Sequence, residues 1–227
     1  MVLQLSVVIP VLNEAHQIPN LLQGLKIFSE DPQVEILFVD GGSTDRGPQL
    51  LQEAGCVVIR TSAGRGQQLA VGGENAQADA ILFLHADSYF KSSPKQEILN
   101  LLSESPIGAF PLDFDSRQPW LKLVQWGSNW RLRHRQIAFG DQGIFMRRLY
   151  YQQLGGFRPL PLMEDYDLSI RSKKLGSGLA VAHQPIYTSA RRFHKQGPIK
   201  TLIKMQYCQY LFRRGADIDK IMKTYYQ

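Results

Sequence analysis

Four short apolar runs rich in β-branched residues, "LSVVIPV" (5–11), "VEILFVD" (34–40), "CVVIR" (56–60) and "AILFLHA" (80–86), dominate the first half of the chain. Between them the apolar residues recur at helical spacing. Ile18, Leu21, Leu22, Leu25 and Phe28 mark one helix, for which Asn13 offers an N-cap, and "STDRGPQLLQEAG" marks a second with Ser43 or Thr44 as cap and Gly55 as stop. "GRGQQLAVGGENAQA" opens with glycines and turns helical. Strand and helix in alternation predict an α/β fold with a mixed, mainly parallel sheet and helices on both faces. In such a sheet ligands bind beyond the C-terminal ends of the strands.

The second half is less regular. "IGAFPLDFD" (107–115), "QGIFMRR" (142–148) and "LAVAHQPIYT" (179–188) read as strands, and "PWLKLVQWGSNWRLRHR" (119–135) as an amphipathic helix. "MEDYDLSIRSKKLG" (163–176) is a helix with acids in its first turn, bases in its last and Gly176 beyond, as the helix dipole favours. "PIKTLIKMQYCQYLFRR" (198–214) is a basic helix with Ile199, Leu202, Ile203, Tyr207, Tyr210 and Leu211 expected as one apolar stripe. The stretch holds no repeat or linker, so a single domain over 1–192 is expected. Its first half covers about 1–90 and its second about 105–192, with a basic helical tail, 193–227, packed on it.

Charge is concentrated in that tail. Residues 188–227 carry nine Lys/Arg against two acids, so all of the net +6 lies there. That distribution disfavours a nucleic-acid coat and fits a local anionic partner, a phosphate group or an acidic membrane surface. Two cysteines without metal or redox spacing read as reduced thiols. The opening lacks a basic leader, and no apolar run reaches the ~20 residues that span a bilayer. A cytoplasmic protein is expected. Peripheral contact at the inner face of a membrane competes there with simple packing of the tail stripe on the domain, and the packing is favoured.

Three acids fall at or just past predicted strand ends: Glu14, Asp40 and Asp87. Any one alone reads as a turn or cap residue. Three on one sheet edge favour a polar ligand site. Asp87 is the sharpest case, because a carboxylate ending a buried run is costly without a partner. "GRG" (64–66), a glycine-rich helix entry with an Arg in it, suits an anion, although it matches no standard phosphate-loop pattern. Asp141 and Gln142 in "FGDQGIF" read equally as ligand contacts or a turn. Arg191 and Arg192 could meet an anionic ligand, or lie solvated. His16, His134, His183 and His194 lack metal-ligand spacing and read as structural.

Taken in order, "LSVVIPVLNE", "VDGGSTD", "GRGQQ", "FLHAD" and "LMEDYDLSIR" resemble the successive landmarks of the family-2 glycosyltransferases, which have the Rossmann-like GT-A fold. The resemblance covers roughly residues 4–192. Within the family the chain looks most similar to a compact bacterial branch, through "GDQGIFMRR" and "TSARRF"; some members of that branch are labelled arsenosugar-biosynthesis glycosyltransferases. The resemblance implies an inverting transferase that moves a sugar from a nucleotide-diphospho-sugar to an acceptor hydroxyl. Pro10, Leu12 and Glu14 would line the nucleoside pocket, Asp40 and Gly41 would contact base or ribose, and Gly64 and Arg65 would close over the nucleotide. Asp87 would be the surviving acid of the Asp-x-Asp motif and bind Mg²⁺ or Mn²⁺, with His85 in place of the first Asp and Ala86 between them. Asp165, beside Glu164, would be the general base.

These residue types suit that chemistry: a metal or Arg stabilises a departing diphosphate, and a carboxylate takes the acceptor proton. A sugar nucleotidyltransferase is the alternative enzyme, but it needs a glycine-rich phosphate loop after the first strand, where this chain has "PVLNEAH". A non-catalytic binder using its basic tail is the third reading; the presence of both Asp87 and Asp165 counts against it.

Overall fold

The computed structural model describes residues 2–114, 118–188 and 198–226. Among these residues the core is a seven-stranded sheet ordered β3-β2-β1-β4-β8-β6-β9. β1 (Leu5–Val11) lies parallel to β2 (Val34–Asp40) and to β4 (Ala80–Phe83), and β2 is parallel to β3 (Val57–Arg60). β8 (Ile144–Arg147) runs antiparallel between β4 and β6 (Ile107–Ala109), and β9 (Leu179–Val181) pairs parallel with β6. Successive side chains of β1 reach opposite faces. Val7 and Ile9 enter one core with Leu21 of α1 (Ile18–Gly24) and, across the sheet, Ile98 of α5 (Lys95–Glu104). Val8 enters another with Leu69 of α4 (Arg65–Asn75). The sheet is therefore covered on both faces, as the unbroken apolar strands require. Shorter helices, α2 (Lys26–Ser29) and α3 (Gly47–Glu53), complete the first half.

Helix α4 lies unusually close to the sheet. A Cβ built on Gly72 would sit 2.2 Å from Cγ1 of Val8 and 3.0 Å from Cγ2 of Val39, both fully buried. Gly72→Val is therefore expected to lose about 2 kcal/mol through overpacking, lowering Tm by about 4–8 °C in a thermal melt. An unchanged Tm would show that α4 can lift without cost.

Several local expectations are corrected. Asn13 is not an N-cap: it adopts the left-handed conformation (φ 54°), which Asn tolerates, and its Oδ1 accepts from the Thr44 backbone N–H at 2.9 Å. Ser43 and Thr44 do not cap α3, whose N-cap is Arg46; Ser43 Oγ accepts instead from the Asn13 N–H. The single strand expected over 107–115 is two, β6 and β7 (Leu112–Phe114), and the one over 179–188 is β9 and β10 (Ile186–Thr188). Both segments leave the main sheet near a proline, Pro111 and Pro185, which cannot donate to a ladder. They re-pair with β5 (Ser88–Tyr89) in a small sheet ordered β5-β10-β7.

α6 (Pro119–Trp130) passes into a π-helical turn over Arg131–Arg135. After α7 (Arg148–Gln153) and α8 (Glu164–Lys174) come two C-terminal helices, Pro198–Arg213 and Ile218–Tyr226. The tail thus holds a second helix that the periodicity did not reveal. Of the expected stripe Leu211 is buried, packing with Cys208 and Ile221 against Phe139, Met163 and Tyr166, whereas Ile203, Tyr207 and Tyr210 are exposed. The side chains of Ile199 and Leu202 lie outside the described residues. Both cysteines are free thiols, and burial pushes each of them up from the ordinary thiol pKa.

Candidate active site

β1, β2 and β4 are parallel, so their C-terminal ends open on one edge. The ends of β1 and β2 are tied by Gln68, whose buried Nε2 donates to the carbonyls of Val11 (2.8 Å) and Val39 (2.7 Å). Gly41 is required beside that amide, since a Cβ there would come within 2.9 Å of it. Asp40, 1% exposed, accepts from the Ser43 N–H at 3.0 Å and stands 3.9 Å from Arg60. Glu14 starts the helical turn after β1, its carbonyl accepting from the Gln17 N–H at 2.8 Å.

β4 ends at Phe83, so His85, Ala86 and Asp87 lie in the loop beyond it, closed by a Ser88 N–H to His85 carbonyl bond of 3.0 Å. Gly64 (φ 129°) turns the chain into α4 and delivers Arg65 at its first residue. The adjoining Gly66 is a forced choice, because a Cβ there would meet the carbonyls of Arg158 and Leu160 at 2.5 Å.

From the far side of the sequence, Met163 in a left-handed conformation starts α8 and sets Glu164 and Asp165 at its N-terminus, where the dipole favours carboxylates. Arg65 Nε donates to Glu164 Oε1, and its Nη2 lies 3.7 Å from Asp165 Oδ2. Asp165 Oδ2 also accepts from the Gly140 N–H at 2.8 Å. Glu164 is fully buried, and its Oε2 has no partner among the described residues. Burial drives its carboxyl above the usual range, Arg65 pulls against that, and Asp165 adds to it. Burial opposes the charge of Arg65, but the two acids outweigh it and hold the guanidinium protonated more firmly than usual.

Arg65, His85, Asp87, Asp141 and Asp165 line one cavity, whose apolar wall includes Phe114 and Met205. Asp87 and Ala86 also border an open groove beside α1, so Asp87 lines both depressions. Pro10, Leu12, Glu14, Asp40, Gly41 and Gly64 hold the adjoining edge without lining the enclosed cavity. Gln142 is fully buried, its Oε1 accepting from Arg131 Nη2 at 2.8 Å. Arg191 and Arg192 lie outside the described residues.

Over residues 6–155 the chain matches the model for glycosyl transferase family 2. It belongs to that family. An undecaprenyl-phosphate 4-deoxy-4-formamido-L-arabinose transferase of Pseudomonas paraeruginosa is 37% identical over 113 residues, 45% of this chain and 32% of the relative. The glycosyltransferase AglJ of Haloferax volcanii is 30% identical over 42% of this chain and 31% of its own. The chain thus spans about a third of the length of these curated relatives.

Among solved structures, S. aureus TarS 1-349 in complex with UDP-GlcNAc aligns with TM-score 0.67 at 18% identity, over 98% of this chain and 71% of that one. The mannosyltransferase PcManGT of Pyrobaculum calidifontis, in complex with GDP-Man and Mn²⁺, aligns with TM-score 0.68 at 16% identity, over 99% and 69%. These two likenesses establish the GT-A fold.

Asp87, the residue expected to bind a divalent metal, lines the cavity together with His85. Among the described residues no three His, Cys, Asp or Glu side chains gather into a closed cluster. The His85 ring lies close over Gly140, where a Cβ would come 2.4 Å from its Nε2.

Five contributors escaped the sequence reading. Gln68 sits inside the quoted "GRGQQ", but its strand-tying amide has no periodic signature. Arg131, stacked 3.8 Å over Phe139 and bonded to Gln142, braces the cavity from below; burial lowers its pKa, with Asp141 and Asp165 opposing. Met205, Gln209 and Tyr225 bring the C-terminal helices into the cavity wall.

Proposed function

We propose that this family-2 glycosyltransferase moves a sugar from a nucleotide-diphospho-sugar to an acceptor hydroxyl with inversion at the sugar carbon, using Asp165 as general base. The observation that carries the reading is the meeting of Asp165 with Asp87 and Arg65 in one cavity, although they come from distant parts of the chain. The acceptor oxygen forms a bond to the sugar carbon as the bond from that carbon to the diphosphate oxygen breaks. The hydroxyl proton passes to Asp165, and the nucleoside diphosphate leaves with the electron pair. Attack from the base side, opposite the leaving group, inverts the centre.

Asp87, with His85 beside it, would hold Mg²⁺ or Mn²⁺, which when bound supplies charge neutralisation on the diphosphate. The Mn²⁺ and GDP-Man of the PcManGT complex and the UDP-GlcNAc of the TarS complex support this donor and metal class. Glu14, Asp40 and the edge tied by Gln68 take the nucleoside in this reading, and Asp141 faces the acceptor. The nucleotide half then covers about 1–90 and the acceptor half about 105–192. "GDQGIFMRR" is what supports a place in the compact bacterial branch, and neither donor base nor acceptor follows from it. No helix among the described residues is long and apolar enough to cross a membrane.

Thermal melts with UDP or GDP and Mn²⁺ test the donor half of this reading. At a nucleotide concentration ~100 times Kd, binding adds about 2.7 kcal/mol and raises Tm by roughly 5–10 °C. Asp87→Ala is expected to remove the Mn²⁺-dependent part of that shift. No stabilisation by either nucleotide, with or without metal, would overturn the reading.

A further inference from the structure

We infer that the outer faces of α6 and the helix Pro198–Arg213 form a docking surface for an anionic lipid bilayer. The two helices pack against one another. Each turns one face inward and leaves an apolar, aromatic stripe outside. On α6 the stripe is Leu123, Trp126 and Trp130, at i, i+3 and i+7; the first two are each 66% exposed. On the C-terminal helix it is Ile203, Tyr207 and Tyr210, at i, i+4 and i+7, with Ile203 66% exposed and both tyrosines about half exposed. Residues three, four and seven apart share a helix face, so these are continuous ridges and not scattered side chains.

The flanking charge identifies the occupant. Residues 118–140 contain four bases and no acid, and residues 198–216 likewise contain four bases and no acid. Arg133, Arg135, Arg213 and Arg214 are exposed, and none forms an ion pair among the described residues. Arg135 lies over the Trp130 ring at 5.4 Å and Arg214 over Tyr210 at 6.0 Å, so bases and aromatics are interleaved. Two copies meeting through this face would set the same arginines against each other, an unfavourable self-contact. An anionic bilayer satisfies both parts at once. Trp and Tyr partition to the headgroup level, aliphatic side chains reach the acyl boundary, and each Arg or Lys gains from the acidic surface. The surface stands independently of the transfer reaction.

The full chain is sedimented with vesicles of phosphatidylcholine alone and of phosphatidylcholine containing about 30% phosphatidylglycerol, the anionic arm supplying the surface potential. Expected is binding to the anionic vesicles with a blue shift of tryptophan emission, and release in about 1 M salt, where screening shortens to about 3 Å. Arg133→Glu/Arg135→Glu and Trp126→Ser/Tyr207→Ser are each expected to weaken binding about tenfold or more without moving Tm, because all four side chains are exposed. Equal behaviour toward the two vesicle types, or wild-type binding by the charge-reversed variant, would overturn the inference. So would a dimer in light scattering that the Trp126→Ser/Tyr207→Ser change dissociates, which would make the face an interface between copies.

Discussion

Replacing Asp165 with Asn is expected to cut sugar transfer by about 10²–10⁴-fold, the usual worth of a positioned general base, while leaving nucleotide binding in place. The amide keeps an oxygen to accept from the Gly140 N–H at 2.8 Å and gives up the bond that the other carboxylate oxygen accepts from the Tyr166 N–H at 2.7 Å, so a melt of the variant accompanies its rate. The amide also loses the capacity to take a proton. Turnover of a nucleotide-sugar, with water as acceptor if need be, reads the chemistry, and the thermal shift with nucleotide and Mn²⁺ reads binding. Loss of turnover with a retained shift is the expected pattern. A variant that turns over at the wild-type rate would remove Asp165 from the proton-transfer role.

The second large effect belongs to Arg65 and is one of stability. Its guanidinium is the partner that the buried Glu164 carboxylate has among the described side chains, through Nε. Arg65→Met leaves that carboxylate with two poor choices, to stay charged without a partner or to take up a proton. Breaking a buried pair from one side costs about 3–5 kcal/mol; with the Arg65 side chain about one third exposed, the low end applies, about 3 kcal/mol.

The pH dependence follows from the sign of the Glu164 shift, which is upward, through burial first. A carboxyl raised in the folded state carries no penalty below its ordinary range and becomes destabilising as pH rises through the raised value. Without Arg65 the raised value moves higher still. The variant is expected to match the wild type near pH 4 and to trail it by about 6–12 °C at pH 8 in parallel melts. Adding Glu164→Gln to Arg65→Met removes the charge and is expected to erase most of the gap at pH 8. A deficit that ignores pH and survives the second change would mean that Arg65 acts by packing alone.

The architecture was largely legible because the strongest sequence signal and the strongest physical demand coincide. β1 and β2 are seven-residue apolar strands covered on both faces, and residues of that kind have few other places to go. The acids that follow β1, β2 and β4 fall on one edge because parallel strands share a direction, which needs no knowledge of the loops.

The second half was less legible for the same reason in reverse. β6, β7, β9 and β10 are three residues each, too short for period two to register, and they divide between two sheets at prolines. In the tail, helical spacing drew one stripe through Ile203, Tyr207, Tyr210 and Leu211, of which only Leu211 is buried. The cavity wall and core instead took Met205, Cys208 and Gln209. Periodicity finds an apolar face; which side meets the protein depends on Phe139, Met163 and Tyr166, whose positions are set elsewhere in the chain.

One glycine joins the two sides of the site. Gly140 gives its N–H to Asp165, and its bare α-carbon accepts the His85 ring at a distance that leaves no room for a methyl group. The loop carrying Asp87 and the helix carrying Asp165 therefore share a fulcrum. A side chain at position 140 would press on the His85 ring and on the turn that donates to Asp165 in the same event.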